Sequence, residues 1–294
     1  MSQLDSKMSK DLYELYHQDL ISDAVSLDKA GIICSRFSTK GKPGYYTGDR
    51  NAKTVIVSLN PGIESNEADR VYKNIILPSN KWHPNQTQRW NGFSDYYDLF
   101  MDLSNKAGNY DIGRLDYFDL KPAAFLKDWP NSGINIPKDF PVNKDKDTYF
   151  ETKAAAMNGK LQLELIPYAS QTFSIKKGAN YGLLFPYLDI IFDEIISKDR
   201  EYVIFAAGVF EDIFKAYNQA YGNVIDLSNP VQKTTGPLKN DGRIKGRCKV
   251  IRITYNGNCF KAIIAHSYAS HALHYALPVM KDYGSFCYSV FKTQ

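Results

Sequence analysis

The sequence predicts an α/β fold, a three-layer α/β/α sandwich around a central, mostly parallel sheet, with loop insertions. Short apolar segments rich in β-branched residues alternate along the chain with longer segments of helical spacing, the pattern of such folds. A chain of 294 residues, 44% of them hydrophobic and 14% aromatic, can bury the core of one large domain. We therefore expect a single domain over residues 1–294.

The first half of the chain combines a strong strand with long polar stretches. Residues 1–50 are predicted to form an extension made of an amphipathic helix and a Gly- and Lys-rich loop, which leads into a strand at 54–59. Residues 64–89 have the composition of a polar loop. A helix is predicted at 95–108, and a strand followed by a loop at 114–126.

The second half alternates more regularly between strands and helices. Residues 128–149 are rich in Pro, Asn and Lys and are predicted to be an insertion. The dipeptide Asn256-Gly257 is typical of a two-residue hairpin turn. The predicted elements are a strand at 159–173 with a turn at Pro167, a helix at 181–199, a strand at 201–208, a helix at 209–222, a hairpin at 249–267 and a helix at 268–286.

Composition excludes some classes of protein and leaves others open. The net charge of +4 and the isoelectric point near 8.6 permit a polyanionic partner without requiring one. The amino terminus has no apolar signal-peptide core and no stretch has the length of a membrane span. We expect a cytoplasmic monomer with no membrane partner. No C-x-x-C pair is present, so we expect reduced thiols and no zinc or iron–sulfur site; the cysteines are Cys34, Cys248, Cys259 and Cys287.

Motifs of other enzyme classes are absent from the sequence. There is no G-x-x-x-x-G-K-[ST], no G-x-G-x-x-G after a strand, no G-x-S-x-G and no H-E-x-x-H. His271 and His274 are three residues apart, but no carboxylate or cysteine lies near them in sequence, so we do not expect a metal site.

Three predicted strands carry unusual polar residues where they end. Ligands of parallel α/β sheets bind outside the carboxyl ends of the strands, so these residues are candidates for one site. They are Asn60, Pro61 and Gly62 in "SLNPG", Glu164 in "ELIPY", and His266 with Ser267 in "IIAHS".

The order and position of these strand ends resemble the motifs of the uracil-DNA glycosylase superfamily, over roughly residues 54–275. "SLNPG" is similar to the first motif of the branch that acts on mismatches. "IIAHSYASH" is similar to the last motif, but lacks the proline that usually follows its first residue. "ELIPY" resembles the strand that reads the base, with Glu164 in place of the usual Asn.

The resemblance implies a catalytic role for two residues and needs no cofactor. Asn60 would hold the water that attacks the sugar, and His266 would donate a hydrogen bond to the pyrimidine oxygen as negative charge develops, a role open to a neutral imidazole. Pro61 and Gly62 would let the backbone approach the base or the phosphate. By itself, Asn60 is equally consistent with a residue that caps a helix beginning near Pro61.

The same resemblance implies DNA as the partner, in single- or double-stranded form. An enzyme of this kind extrudes the base, fills the gap with a side chain and stacks the base on an aromatic ring. Tyr268 is the candidate wedge. The candidate stacking residues are Trp82, Trp90 and Phe93; the candidate phosphate contacts are Ser267 and Ser270, with Lys245 and Arg247 if their basic segment flanks the pocket.

Glu164 is the departure that most affects the substrate. An ionised carboxylate only accepts hydrogen bonds, whereas the usual Asn both donates and accepts as uracil requires. Glu164 therefore favours the exocyclic amine of a cytosine-like base. In this the sequence resembles superfamily members that act on modified cytosines in phage DNA as a defence. A misaligned or salt-bridged glutamate is the alternative. For the whole chain, the alternatives are a binding protein without activity and a hydrolase of free nucleosides or nucleotides.

Overall fold

The computed structural model describes residues 2–4, 6–7, 27, 29–35, 46–59, 121–134, 159–167, 172–237, 245–266 and 277–294. Helix α1 covers residues 121–126. The longer helices are α2 (Phe185–Ile196, preceded by a 3-10 turn at Tyr181–Leu184), α3 (Phe210–Tyr221) and α4 (Leu277–Thr293). The strands are β1 (Ile32–Ser35), β2 (Tyr46–Gly48), β3 (Thr54–Ser58), β4 (Leu161–Glu164), β5 (Thr172–Ile175), β6 (Tyr202–Phe205), β7 (Ile225–Asp226), β8 (Gln232–Pro237), β9 (Lys245–Tyr255) and β10 (Asn258–Ala265).

The main sheet is mixed, so the predicted α/β class is confirmed and the prediction of a mostly parallel sheet is wrong. Its order is β2-β4-β3-β6-β10-β9-β7, with β8 also paired to β9. Strands β3, β6 and β10 are mutually parallel, whereas β9 is antiparallel to β7, β8 and β10. The cause is the hairpin turn at Asn256 and Gly257, whose φ angles of 48° and 77° reverse the chain with no crossover helix.

The chain divides into two compact units. One consists of Met1–Thr47, Leu59–Tyr110 and Leu163–Glu194, and the other of Gly48–Ser58, Asp111–Gln162 and Ile195–Gln294.

In the second unit, helices α1 and α4 cover one face of the sheet. Their buried side chains pack against the side chains of β3, β6, β9 and β10 that point to this face, because alternate residues of a strand share a face. The rings of Phe125 and Tyr283 meet edge-on at 5.4 Å between centroids. The core of this face includes Ile56, Ile204, Val250, Ile263, Ala265, Met280, Cys287 and Val290.

Helix α3 covers the opposite face of the same sheet. Phe205 on β6 contacts Phe210 and Phe214, with ring centroids 5.1 and 4.9 Å apart. The helix ends at Gly222, whose φ of 85° suits a residue without a side chain. The strand and helix predicted at 201–208 and 209–222 are thus confirmed.

Residues 121–134 contribute to the core of this unit. Residues 121–126, predicted as a loop, are helical, because their apolar side chains are buried under α4. Trp129 donates a hydrogen bond from Nε1 to the Gly284 carbonyl at 2.9 Å. Thr54 and Tyr202 donate hydrogen bonds to the carbonyls of Ser132 and Pro130. Of the predicted insertion, residues 128–134 are therefore tied to the sheet, and 135–149 lie outside the described residues.

The first unit contains a second, smaller sheet. Strands β1 and β5 pair antiparallel, with Ile32 opposite Ile175. Within the extension predicted at 1–50, β1 and β2 are strands in a segment predicted as a loop. The carbonyl of Ala30 accepts a hydrogen bond from the Asn180 N–H, so the start of β1 lies against the turn before α2.

Candidate functional site

In the second unit, three parallel strands end at one edge of the sheet. Val57 on β3 pairs with Phe205 on β6, which pairs with Ile264 on β10. Past the end of β6, the Ala206 N–H donates to the Val57 carbonyl at 2.8 Å. His266 directly follows β10 at this edge. Since adjacent strands are about 4.8 Å apart, the ends of β3 and β10 are about 10 Å apart with β6 between them.

In the first unit, the segment after β4 lies beside the residue that follows β3. The Ile166 N–H donates to the Leu59 carbonyl at 2.8 Å. Leu59 precedes Asn60, and Ile166 follows Glu164 by two residues. The chain therefore leaves β3 at Leu59 beside the segment that follows β4.

Glu164 is buried, with a relative exposure of 6%, and faces a small pocket. A second buried carboxylate, that of Glu194, lines the same pocket, together with Leu4, Tyr187 and Ile191. The space inside is about 10 Å³, which is room for about one water molecule. As described, the pocket therefore presents two carboxylates and apolar walls to a space smaller than a base.

His266 is held by hydrogen bonds at its backbone and at its ring. Its N–H donates to the Tyr283 hydroxyl at 2.8 Å, and that hydroxyl donates to the Arg247 carbonyl. Its Nε2 lies 3.0 Å from the Lys245 carbonyl oxygen. A carbonyl oxygen only accepts, so the proton of this bond is on Nε2. A neutral His266 in this arrangement already uses the single N–H of its ring.

The charge state of His266 follows from its surroundings. Burial lowers the pKa of the imidazole, the nearby positive charge of Arg247 lowers it further, and the bond to the Lys245 carbonyl opposes both. The ring is therefore neutral near neutral pH.

Three exposed basic side chains lie on β8 and β9, and the His266 ring contacts β9 at the Lys245 carbonyl. They are Lys233, Lys245 and Arg247, and none forms an ion pair with another residue that the structure describes. Lys233 and Arg247 are directly paired across the two strands, so both point to the same face. By contrast Lys249, further along the predicted basic segment, is buried and pairs with Glu211 at 3.0 Å. The two predicted DNA contacts on β9 therefore flank His266, and Lys233 joins them.

The sequence did not point to Lys233 or Tyr283. Lys233 lies opposite Arg247 in a pairing whose register shifts between Lys233 and Pro237, an irregularity common at the edges of sheets and beside active sites. Tyr283 lies in the apolar stripe of α4, and the signal in the sequence was a tyrosine within that stripe, because a tyrosine hydroxyl that becomes buried requires a partner.

The other predicted site residues lie outside the described residues. They are Asn60, Pro61, Gly62, Trp82, Trp90, Phe93, Ser267, Tyr268 and Ser270, and with them the start of the helix predicted at 268–286. The described part of that helix continues to Thr293, beyond its predicted end, because Cys287 and Val290 extend the apolar stripe.

Within the described ranges, no three or more His, Cys, Asp and Glu side chains are grouped as metal ligands would be. None of the helices in those ranges combines the length and the apolar character that crossing a membrane requires. Comparison of the chain with protein-family models, with curated proteins and with solved structures finds no match.

Proposed function

We propose that the protein is a monofunctional DNA glycosylase that extrudes a uracil-like or modified pyrimidine base and hydrolyses its N-glycosidic bond. The order of the three sequence motifs supports this proposal. The single observation that carries it is the row of exposed basic side chains beside His266, at the edge where β3, β6 and β10 end. A base-excision enzyme requires phosphate contacts next to its chemical groups.

The charges of this row favour a polyanionic ligand. Like charges directly opposite each other on paired strands lower the stability of a sheet, and Lys233 and Arg247 form such a pair. No described acidic side chain forms an ion pair with either residue. Phosphates of a DNA strand would neutralise both charges and release counterions.

The proposed roles of the remaining residues follow the motifs. Asn60 positions the attacking water, His266 contacts the base, and Tyr268 fills the gap that the base leaves. Glu164 reads a base amine, which requires the apolar side chains around it to separate when the base enters. A modified cytosine is the proposed substrate, and defence against phage DNA or DNA repair the proposed role.

The DNA-binding part is tested by salt titration of oligonucleotide binding, single- and double-stranded. Lys233→Gln and Arg247→Gln should each weaken binding and reduce the slope of log K against log salt by about 1. Lys292→Gln, which removes an exposed charge from α4, is the control with equal net charge and should leave the slope unchanged. Equal slopes for all three variants would contradict the proposed interface.

The catalytic part is tested by alkali cleavage of labelled oligonucleotides that carry uracil, mismatched thymine, hypoxanthine, hydroxymethylcytosine or its glucosylated form. Asn60→Ala should abolish base release and spare binding. Binding with no release from any substrate would indicate a binding protein without activity. Release that persists in Tyr268→Ala, together with activity on free nucleosides, would indicate a nucleoside hydrolase.

A further inference from the structure

The proton of the His266 ring has a fixed position, and this determines what the ring can recognise. Nε2 faces the Lys245 carbonyl oxygen at 3.0 Å, and this oxygen has no proton to give. The neutral ring therefore keeps its proton on Nε2 and carries a lone pair on Nδ1. A ring of this tautomer accepts a hydrogen bond at Nδ1 and cannot donate one there.

The packing of Tyr283 holds the backbone of His266 in place. The Tyr283 hydroxyl accepts from the His266 N–H and donates to the Arg247 carbonyl, so it joins the end of β10 to β9. The tyrosine itself is 1% exposed and sits over Gly246, where an added Cβ would lie 2.8 Å from its ring. The approach of the ring to β9 thus depends on a residue without a side chain.

Helix α4, which carries Tyr283, is itself held close to α1. The next residue, Gly284, packs against the backbone of Phe125, where an added Cβ would lie 1.8 Å from the carbonyl oxygen. Trp129 bonds to the Gly284 carbonyl from the same side. These contacts hold the Tyr283 hydroxyl in place. The hydroxyl in turn holds the backbone of His266.

We propose that His266 is a specificity-determining residue that accepts, through Nδ1, a hydrogen bond from the exocyclic amine of the base. This proposal rests on the proposed function, and it replaces the donor role that the sequence motif implies. An acceptor at this point favours a base that presents an amine and disfavours one that presents only a carbonyl oxygen there. Tyr283 is the positioning residue that keeps His266 at this place.

The tautomer is measured first, and without DNA. A long-range ¹H–¹⁵N spectrum of the chain labelled at its five histidines, near neutral pH, should show the His266 proton on Nε2 and a lone pair on Nδ1. Comparison with His266→Asn identifies the signal. A proton on Nδ1 would overturn this inference and leave the proposed glycosylase activity untouched.

The contact with the base is measured by binding. The matched ligands are oligonucleotides with one unpaired cytosine or one pyrimidin-2-one, which lacks only the amine. The natural chain should prefer cytosine, and the contact with Nδ1 should account for about 3- to 10-fold of this preference, the worth of one hydrogen bond. His266→Asn, whose amide oxygen takes the place of Nδ1, should keep part of the preference. His266→Gln, whose amide lies nearer the place of Nε2, should lose this share and keep only the preference that Glu164 contributes.

The outcomes separate the two proposals. An equal preference for cytosine in the natural chain and in His266→Gln would overturn the role of His266 while DNA binding remains. A His266→Gln variant that releases less base but keeps the same preference for cytosine would show that Nδ1 acts on the attacking water instead. This outcome also overturns the proposed role of His266. Failure to bind any oligonucleotide would refute the proposed function together with this inference. Tyr283→Phe should move the His266 Nε2 resonance and reduce the preference, whereas a tyrosine that only fills the core would leave both unchanged.

Discussion

At the scale of single residues, the arrangement around His266 depends on small groups that the sequence marks weakly. The motif comparison selected His266 because a polar residue follows an apolar strand. It missed Tyr283, because the contact of its hydroxyl with His266 arises only when α4 packs on β9, and no local pattern encodes that packing. The role of Gly246 could not be predicted from the sequence either, since a glycine in a strand has several explanations.

Gly246→Ala tests the fit between β9 and Tyr283. The added Cβ would lie 2.8 Å from two ring carbons of Tyr283 and from the Thr234 methyl group, all in a packed region. We expect a loss of about 1–3 kcal/mol in the free energy of unfolding, measured with urea. Gly236→Ala on β8 is the control, because its Cβ would meet nothing within 4 Å. Equal stability of the two variants would contradict the described packing.

The pH dependence of stability tests the environment of His266. Burial lowers the pKa of the folded imidazole, so the unfolded chain binds more protons at pH values between this lowered pKa and the unfolded pKa of about 6.5. The free energy of unfolding therefore gains a contribution from this residue as the pH rises toward 6.5, and the contribution is constant above that pH. Urea titrations should therefore show that the natural chain loses stability relative to His266→Gln as the pH falls. If the natural chain instead became more stable relative to His266→Gln as the pH fell, the folded protein would favour the charged ring.

At the scale of elements, the strands and helices with strong periodicity were predictable and their pairing was less so. Strand β6, helix α3 and the Asn256-Gly257 hairpin lie where the sequence predicts them. The parallel sheet was inferred from the alternation of strands and helices, although the hairpin itself specifies an antiparallel pair. Strands β1 and β5 were missed as a pair, because each has four residues and long-range pairing stabilises them.

The contact between α1 and α4 is tested by Gly284→Ala. Replacing an exposed glycine in a helix with alanine usually raises the free energy of unfolding by about 1 kcal/mol. Here the Cβ would lie 1.8 Å from the Phe125 carbonyl oxygen, so the helices must separate. We expect the opposite sign, a destabilisation of about 3 kcal/mol or more, measured by thermal and urea unfolding.

Gly208→Ala, in the turn before α3, is the control for adding a Cβ, because there the Cβ would meet nothing within 4 Å. A stabilised Gly284→Ala variant would show that the two helices are further apart than described.

At the scale of the whole molecule, the class of fold could be predicted from the sequence, whereas only some residues of the candidate site could. Glu164 and His266 could be placed at strand ends because the strands are apolar and end in polar residues. Lys233 could not, because the shifted register of β8 brings it opposite Arg247. The division into two compact units also escapes sequence patterns, since each unit gathers three separate stretches of the chain.

The cohesion of the second unit is tested by the reactivity of its thiols. Cys248 on β9 and Cys287 on α4 are fully buried, and burial raises the pKa of Cys287, with its neighbour Cys248 adding to the shift. Cys259 is exposed. Iodoacetamide labelling, followed peptide by peptide with mass spectrometry, should modify Cys259 rapidly and the buried pair slowly and at equal rates. Rates of Cys248 and Cys287 that differ, or that do not rise with urea, would mean that β9 and α4 open separately.

The position of the basic residues has one further effect on the behaviour of the protein. Strand β8 pairs with β9 and with no other strand that the structure describes, so within the described residues its other side is an edge onto which a second chain could add a strand. Lysines on an edge strand oppose such addition, and Lys233 lies there. Lys233, which is proposed to contact DNA, would therefore also oppose the addition of a second chain at this edge. A Lys233→Gln variant made to weaken DNA binding would therefore be more prone to aggregate.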